Sequence, residues 1–428
     1  MSGFWVNRPK GPRLAVEYFW ARRRRREHRC VDSTGSQTSI TLLTRDELIH
    51  RFHQIKKDGG HGAGLDRLTF DLLNPANVGE LLGDLAARIQ SGEYLPHATR
   101  PQSIPKGNAG DYRLLQIPVL LDRVVQKALA ALLEPYWERR FLPSSWGWRP
   151  GRNTWGMLCA IEKALQTTGW TVLAVDDVRT AFDTAPIGKI VECHAELLRE
   201  LRAVDLPQNL RREAEQHHDR LNGLIDTVLR GDRKERQRGI DQGSCFSPLS
   251  MNALFHVWLD LPLRVKIKDL LGHRFGDNLC YVCPSMHEGR EVLAEIANCL
   301  TPLGMSLKGP DRVINLREGD KTPLLGFTLT WRDGEMVYGP GQGSIDHLSQ
   351  ALDEAHKSED PPRTARKAID GWILSCGPAF ETGNAVIPLI LDIAATYGFR
   401  EMTSPEAIQQ RCQDAWNNWL KFRHRHVR

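Results

Sequence analysis

The chain of 428 residues has no uninterrupted apolar run long enough to cross a bilayer, so a helical membrane span is not expected. Its basic N-terminus is not followed by an apolar stretch with a small-residue cleavage site, so no secretory signal is expected either. Cysteine is sparse. The nine cysteines are scattered, which argues against a disulfide framework and for a reducing, cytoplasmic location. The one CxxC, Cys280 to Cys283, lies in a run of strand-like period two. Its thiols should face opposite sides of that strand, and no second ligand pair follows, so core packing is expected rather than zinc. No internal repeat is evident.

What is present describes a globular chain: 41% hydrophobic and 25% charged residues. The length exceeds one typical core, so two or three subdomains are expected. The net charge of +5 is modest but uneven. Residues 1–30 hold nine Lys or Arg against two acids, and residues 421–428 hold four against none, leaving the stretch between them net acidic. Arg22, Arg23, Arg24, Arg25 and Arg26 form the densest run. Such a run is either a solvated face or an arm that neutralises nucleic-acid phosphates.

Two aspartates carry the chemical signal. Asp177 ends the apolar run Trp170-Thr-Val-Leu-Ala-Val-Asp-Asp177, and Asp277 sits at the tip of Arg274-Phe-Gly-Asp-Asn278 between two apolar stretches. Each reads as a strand delivering a carboxylate to a turn. Alone, each is ordinary turn chemistry. Brought together, two such carboxylates can hold divalent metal against a triphosphate.

Hydrophobic periodicity predicts helices over about Arg45–Lys57, Asn77–Gln90, Leu120–Glu138 and residues 153–167. It also predicts a helical stretch from Ile187 to Leu229 with its own charged loop, and helices from the Gly239–Pro248 loop through Asp260 and over Glu288–Leu303. Pro101 to Gly110 reads as a punctuated connector leading into a strand. Two strands are expected around Arg312–Leu316 and Leu324–Thr330, with helices from Asp346 onward.

The ordered set of segments resembles the bacterial reverse transcriptases of the group II intron type. The resemblance runs through Gly62-Ala-Gly-Leu-Asp66, Ile104-Pro-Lys-Gly107, Tyr112-Arg-Leu-Leu-Gln-Ile-Pro118 and Asp122-Arg-Val-Val-Gln126. Leu142-Pro-Ser-Ser-Trp-Gly-Trp-Arg-Pro-Gly-Arg152 is its most family-specific stretch. Gly239-Ile-Asp-Gln-Gly243, Ser247-Pro-Leu249, Phe275-Gly-Asp-Asn278, Leu324-Leu-Gly-Phe327 and Ala368-Ile-Asp-Gly-Trp-Ile373 follow in order. Roughly residues 45–380 are covered.

The resemblance implies an α+β right-hand polymerase with helical fingers, a ferredoxin-like antiparallel palm and a helical thumb. The expected divisions are a basic extension at 1–45, fingers at 46–168, palm at 169–332 with fingers segments, and thumb with basic tail at 333–428. It makes Asp177 and Asp277 ligands of Mg²⁺, or of Mn²⁺, with Asn278 beside them. Phe182 takes the place of the ring beneath the incoming sugar, which would exclude a 2′-hydroxyl; the alternative is a core aromatic. Lys106 and Arg113 match cations that grip the triphosphate, while Gln242 and Gly243 match the loop lining the nascent base pair. Arg149 and Arg152 either touch nucleic acid or pair with helix ends. Leu325, Gly326 and Phe327 resemble a primer-grip hairpin, though a buried turn reads the same.

The expected partners are dNTPs, nascent DNA and an RNA template in the form of a structured noncoding RNA. No membrane is expected, and a second copy or an accessory protein is. The basic ends, interleaved with Trp5, Phe19, Trp20, Trp416 and Trp419, would hold RNA through phosphates and stacking, unless those rings are core. With no endonuclease module in view, the expected setting is antiphage defence. The rival readings are a catalytically silent RNA-binding scaffold and untemplated or protein-templated DNA synthesis.

Two departures matter. Asn278 stands where the family has a second aspartate, removing one anionic group. Lys308-Gly-Pro-Asp-Arg312 stands where it has a Glu-Lys-Thr run, so the lysine looks displaced. Arg312 is a poor proton donor, and slow turnover is the expectation.

Overall fold

The computed structural model describes residues 43–59, 62–105, 112–202, 208–309, 312–381, 386–402 and 404–427. The arginine run at 22–26, Lys106, Trp5, Phe19 and Trp20 lie outside the described residues.

Three helices begin the described chain: α1 (Arg45–Asp58), α2 (Pro75–Ser91) and α3 (Leu120–Glu138). The Thr44 hydroxyl accepts from the Glu47 N–H and the Asn74 side chain from the Asn77 N–H, which caps the donors that α1 and α2 leave free. Leu48, Phe52 and Ile55 of α1, Val78, Leu82 and Ile89 of α2, and Val124, Leu129 and Leu133 of α3 share one buried cluster. Between α2 and α3, β1 (Arg100–Pro105) pairs antiparallel with β2 (Tyr112–Ile117). Here the connector expected at Pro101 to Gly110 is partly a strand. Pro101 and Pro105 fit there because each strand of a two-stranded ribbon has an unpaired edge where a missing N–H costs nothing.

After α4 (Thr154–Thr168), the chain forms β3 (Val172–Asp177), α5 (Ile187–Arg202), α6 (Gln208–Arg230), α7 (Ser247–Phe255) and α8 (Leu261–Lys266). A π-helical turn, His256–Asp260, joins the last two. Then come β4 (Leu271–Phe275), β5 (Asn278–Cys283), α9 (Met286–Leu300) and β6 (Val313–Asn315). The four strands lie in the order β4-β5-β3-β6, and every pair is antiparallel. This β-helix-β-β-helix-β arrangement with the first strand central is the ferredoxin-like topology expected from the sequence.

The sheet separates two cores by simple alternation. Val172, Ala174, Leu279, Tyr281 and Cys283 face the first cluster, whereas Leu173, Val175, Cys280 and Val282 face a second, packed on Met157, Ile161 and Trp419. Cys280 and Cys283 therefore lie on opposite faces, and the eight described cysteines are all free.

A second, three-stranded sheet follows: β7 (Thr322–Leu324), β8 (Phe327–Arg332) and β9 (Glu335–Pro340). The boundary expected at 332/333 falls in the turn of the β8–β9 hairpin, so β9 belongs to the sheet, from which Tyr338 packs on Trp419 near the C-terminus. The periodic pattern of β9 is only six residues long, too short to stand out in sequence. The chain ends in α10 (Gln342–Ala355), α11 (Pro361–Ser375), α12 (Val386–Thr396) and α13 (Pro405–Val427), built around a third cluster including Leu352, Ile369, Ile390 and Ile408. No described helix is long and apolar enough to cross a membrane.

Candidate active site

The β4–β5 hairpin turns on two residues, Gly276 and Asp277. Gly276 has φ +64°, which suits glycine at the first position of such a tight turn. In the register between β3 and β5, Asp177 lies directly opposite Asn278, so Asp277 stands one residue further out beside the end of β3. The Val178 N–H donates to the Asp277 carbonyl at 3.1 Å, which ties the two strand ends together. Two acids a hundred positions apart in sequence are thus brought side by side at the same end of the two central strands.

Their surroundings are specific. The Asn278 amide donates to Asp277 Oδ1 at 3.3 Å and to the Phe275 carbonyl at 3.4 Å. An aspartate at 278 would repel its neighbour; the amide steadies it, at the loss of one negative charge. Lys308 Nζ lies 3.1 Å from Asp177 Oδ2, and the Lys308 N–H donates to the Asp177 carbonyl at 2.9 Å. The lysine that looked displaced in the sequence is therefore at the site, because the loop after α9 pairs back along Val178 and Leu307. Asp177 Oδ1 is buried and has no hydrogen-bond partner among the described residues. Asp176 is buried on the other side of the strand, where its Oδ1 accepts from the Asp177 and Gly309 N–H groups.

Among the described residues, no group of three or more His, Cys, Asp or Glu side chains could hold a metal. The neighbouring Asp177 and Asp277 carboxylates, the former with a buried oxygen that no described group fills, instead fit a hard divalent ion that draws its remaining ligands from water and phosphate.

Phe182 lies on a single helical turn, Ala181–Thr184, that follows β3. Its ring is half-buried and meets Trp148 edge-on at 5.2 Å. The Phe182 carbonyl accepts from the Ile240 N–H at 2.8 Å, which brings in the loop holding Gln242 and Gly243. That loop is pinned in turn to β2, because the Gln116 N–H donates to the Gln242 carbonyl at 2.7 Å. At Gly243, φ is +123° and a Cβ would stand 2.6 Å from the Gln116 carbonyl oxygen, so only glycine fits. Arg113 projects from the same strand β2 into solvent. Asp177, Asp277, Asn278, Phe182, Gln242 and Gly243 are thus linked through neighbouring strand ends and backbone hydrogen bonds, whereas Arg113 is connected to them only through strand β2.

Other candidates are not. Arg149 is buried; its guanidinium forks onto Glu138 and also donates to the Leu142 and Ser145 carbonyls. With those donors consumed inside the protein, Arg149 is not a nucleic-acid contact; it meets the other expectation, pairing with the helix end at Glu138 as a structural arginine. Arg152 donates to the Pro143 carbonyl and lies over the Trp146 ring, and burial lowers its pKa. Phe327 is buried against Tyr338, so its ring is not offered to a primer. Leu325 and Gly326, both at positive φ, form the tight β7–β8 turn, which is held by the Gly341 N–H. Trp419 is core, meeting Trp155 and Tyr338 edge-on, and Trp416 is partly buried between two clusters, so neither is a free stacking platform.

One group escaped sequence reasoning. Arg274, 2% exposed, forks onto Asp260 and also donates to Asn252, Ser145 Oγ and the carbonyl of Gly276. It links the catalytic-type turn to the loop that carries Trp146 and Trp148. A basic residue inside an apolar strand pattern was the available signal.

Residues 104–310 match the family described as reverse transcriptase (RNA-dependent DNA polymerase). The chain is similar to the Escherichia coli protein YkfC, 28% identical over 227 residues, covering 51% of this chain and 55% of that protein. It is also similar to the group II intron-encoded protein LtrA of Lactococcus lactis subsp. cremoris, 25% identical over 195 residues, covering 44% and 29%. It thus spans about half of one of these relatives and less than a third of the other. A solved structure of apo telomerase from Candida tropicalis superposes with a TM-score of 0.46 at 11% identity, covering 82% of this chain and 72% of that one.

Proposed function

We propose, on the premise that residues 104–310 are a reverse transcriptase-family domain, that this protein is an RNA-directed DNA polymerase. It would add dNTPs to a 3′-hydroxyl on an RNA template. The observation that carries this reading is the placement of Asp177 and Asp277 at adjoining strand ends, with one buried Asp177 oxygen that has no partner among the described residues. Asp177 and Asp277 would hold two Mg²⁺ ions. If bound, such ions would supply Lewis acidity toward the primer hydroxyl and charge neutralisation for the leaving pyrophosphate.

The chain's own side chains do the rest. Phe182 would close the floor beneath the sugar, so that a deoxyribose enters and a 2′-hydroxyl clashes. Gln242 and Gly243 would let the nascent base pair lie close against the backbone. Arg113 and Lys106 would grip the triphosphate by charge-assisted hydrogen bonds. Lys308 stands beside Asp177, so a cation is already in place where negative charge would gather on phosphate.

Primer extension tests this. The wild-type protein should extend a DNA primer on an RNA template with Mg²⁺ or Mn²⁺, and Asp277→Asn should not, while keeping its melting temperature. A protein that binds RNA yet incorporates nothing with either metal is a silent scaffold; DNA made without any RNA would overturn the templated part. That the template is a dedicated structured noncoding RNA used in antiphage defence rests on the sequence resemblance alone. Sequencing of co-purified RNA, and phage plating with Asp177→Asn, test it.

A further inference from the structure

The loop between α3 and α4 is held far more tightly than a surface connection needs. The Arg274 N–H donates to the Ser144 carbonyl at 2.9 Å and the Trp146 N–H to the Arg274 carbonyl at 2.7 Å, which staples the loop along β4. Asn252 Nδ2 donates to the Gly147 carbonyl at 2.8 Å, and Arg149 grips the Leu142 and Ser145 carbonyls. Gly147 is so close to the Gly276 backbone that no Cβ could stand between them.

All of this converges on Trp148. Its backbone is left-handed, with φ +57°, a conformation that a side chain with a bulky Cβ substituent rarely adopts. Its ring is nonetheless 38% exposed, so core burial does not account for the strain. The ring lies on Gly276, where an added Cβ would approach it to 2.8 Å, and meets Phe182 edge-on at 5.2 Å. The fold therefore spends a rigid, strained loop on keeping one large ring between the hairpin turn that carries Asp277 and the aromatic beside β3.

We propose that Trp148 is a specificity-positioning residue: its indole is the stop against which the Phe182 ring rests, and it thereby sets the discrimination between deoxy- and ribonucleotides. The proposal rests on the reading of Phe182 as the ring beneath the incoming sugar. Phe182 sits on one isolated helical turn, preceded by Thr180 at φ +42°, so its backbone alone does not fix the ring. Without the indole, the phenyl ring has room to swing toward Gly276, and a 2′-hydroxyl is then admitted.

The test is single-nucleotide incorporation of dNTP and of rNTP, with kcat and KM measured separately for each. Trp148→Asn is the first variant, because asparagine tolerates the left-handed backbone; Trp148→Phe, which keeps a smaller ring, is the second. Melting temperatures and Phe182→Ala are measured alongside. Trp148→Asn should lower the dNTP-to-rNTP ratio of kcat/KM about three- to tenfold, the size of a lost edge-to-face pair, chiefly by lowering the rNTP KM. Trp148→Phe should shift it less in the same direction, and it carries the test if the asparagine variant does not fold. The proposal is overturned if Phe182→Ala collapses discrimination while the Trp148 variants leave the ratio unchanged, or if they slow both substrates equally. A wild-type protein that incorporates neither nucleotide, or a Phe182→Ala variant with wild-type discrimination, sinks the underlying reading instead.

Discussion

Two charged regions lie back to back on the β4–β5 hairpin and are completed to different degrees. Behind the turn, the Arg274 and Arg149 guanidiniums, both buried, spend their donors on Asp260, Glu138, Asn252, Ser145 and backbone carbonyls. At its front, Asp177 keeps a buried oxygen with no partner among the described residues, and its other oxygen meets a half-exposed lysine. A saturated network is worth most as a scaffold, whereas an acid with unused lone pairs is worth most to something that arrives. The difference separates residues that hold the site from residues that would work in it.

The sharpest way to break this comparison is to cut each region once. Asp277→Asn should lower nucleotide incorporation by roughly a thousandfold or more, as expected for loss of a metal-holding group, with little change in thermal unfolding. Arg274→Ala should do the reverse first: stripping one partner from a buried ion pair costs about 3–5 kcal/mol, read as a lower denaturant midpoint. If Arg274→Ala leaves stability untouched, the scaffold assignment fails.

A smaller effect follows from the scaffold's histidines. Burial lowers the His273 pKa to about 4 and that of His194 to about 3, and each ring accepts an indole N–H, from Trp146 and Trp137 respectively. Both are therefore neutral when folded, while the unfolded chain takes up protons below about 6.5. The sign follows: stability is complete above that pH and falls as pH drops from about 6.5 toward 4. Melting temperature against pH should show this slope, and His273→Asn should flatten part of it.

The mildest change expected is at the front. Lys308→Met removes the cation facing Asp177, and Asn278→Asp restores an anion beside Asp277. Each should lower the Mg²⁺ concentration for half-maximal stabilisation against heat by a fewfold. No shift in either variant would mean that the charge balance of this edge does not govern metal uptake.

Much of this was legible in the residues. The helix at Leu120–Glu138 has the span read from its periodicity, and alternation placed Cys280 and Cys283 on opposite faces. The strand ends at Asp177 and Asp277 were also visible, because local pattern and turn chemistry act over a few neighbours. Arg149 was not resolved by its sequence: it sits in the same basic, glycine-rich stretch as Arg152, and nothing local says which guanidinium finds Glu138. Lys308 misled for a related reason, since its place depends on how the chain returns after α9 and not on its spacing from other motifs. Phe327 and Trp419 read as surface aromatics or as core with equal ease until both packed against Tyr338 of β9.

The sequence by itself determined the alternation of helix and strand, the two acids at strand ends and the glycines at positive φ, all properties set by neighbours within a turn or a pleat. Only the tertiary structure decided which charges were neutralised, which aromatic ring was left strained and open at Trp148, and which lysine faced Asp177. Those outcomes depend on contacts between separate segments, from 11 residues apart for Arg149 and Glu138 to 131 for Lys308 and Asp177, where desolvation and hydrogen-bond geometry, rather than residue type, separate a strut from a working group.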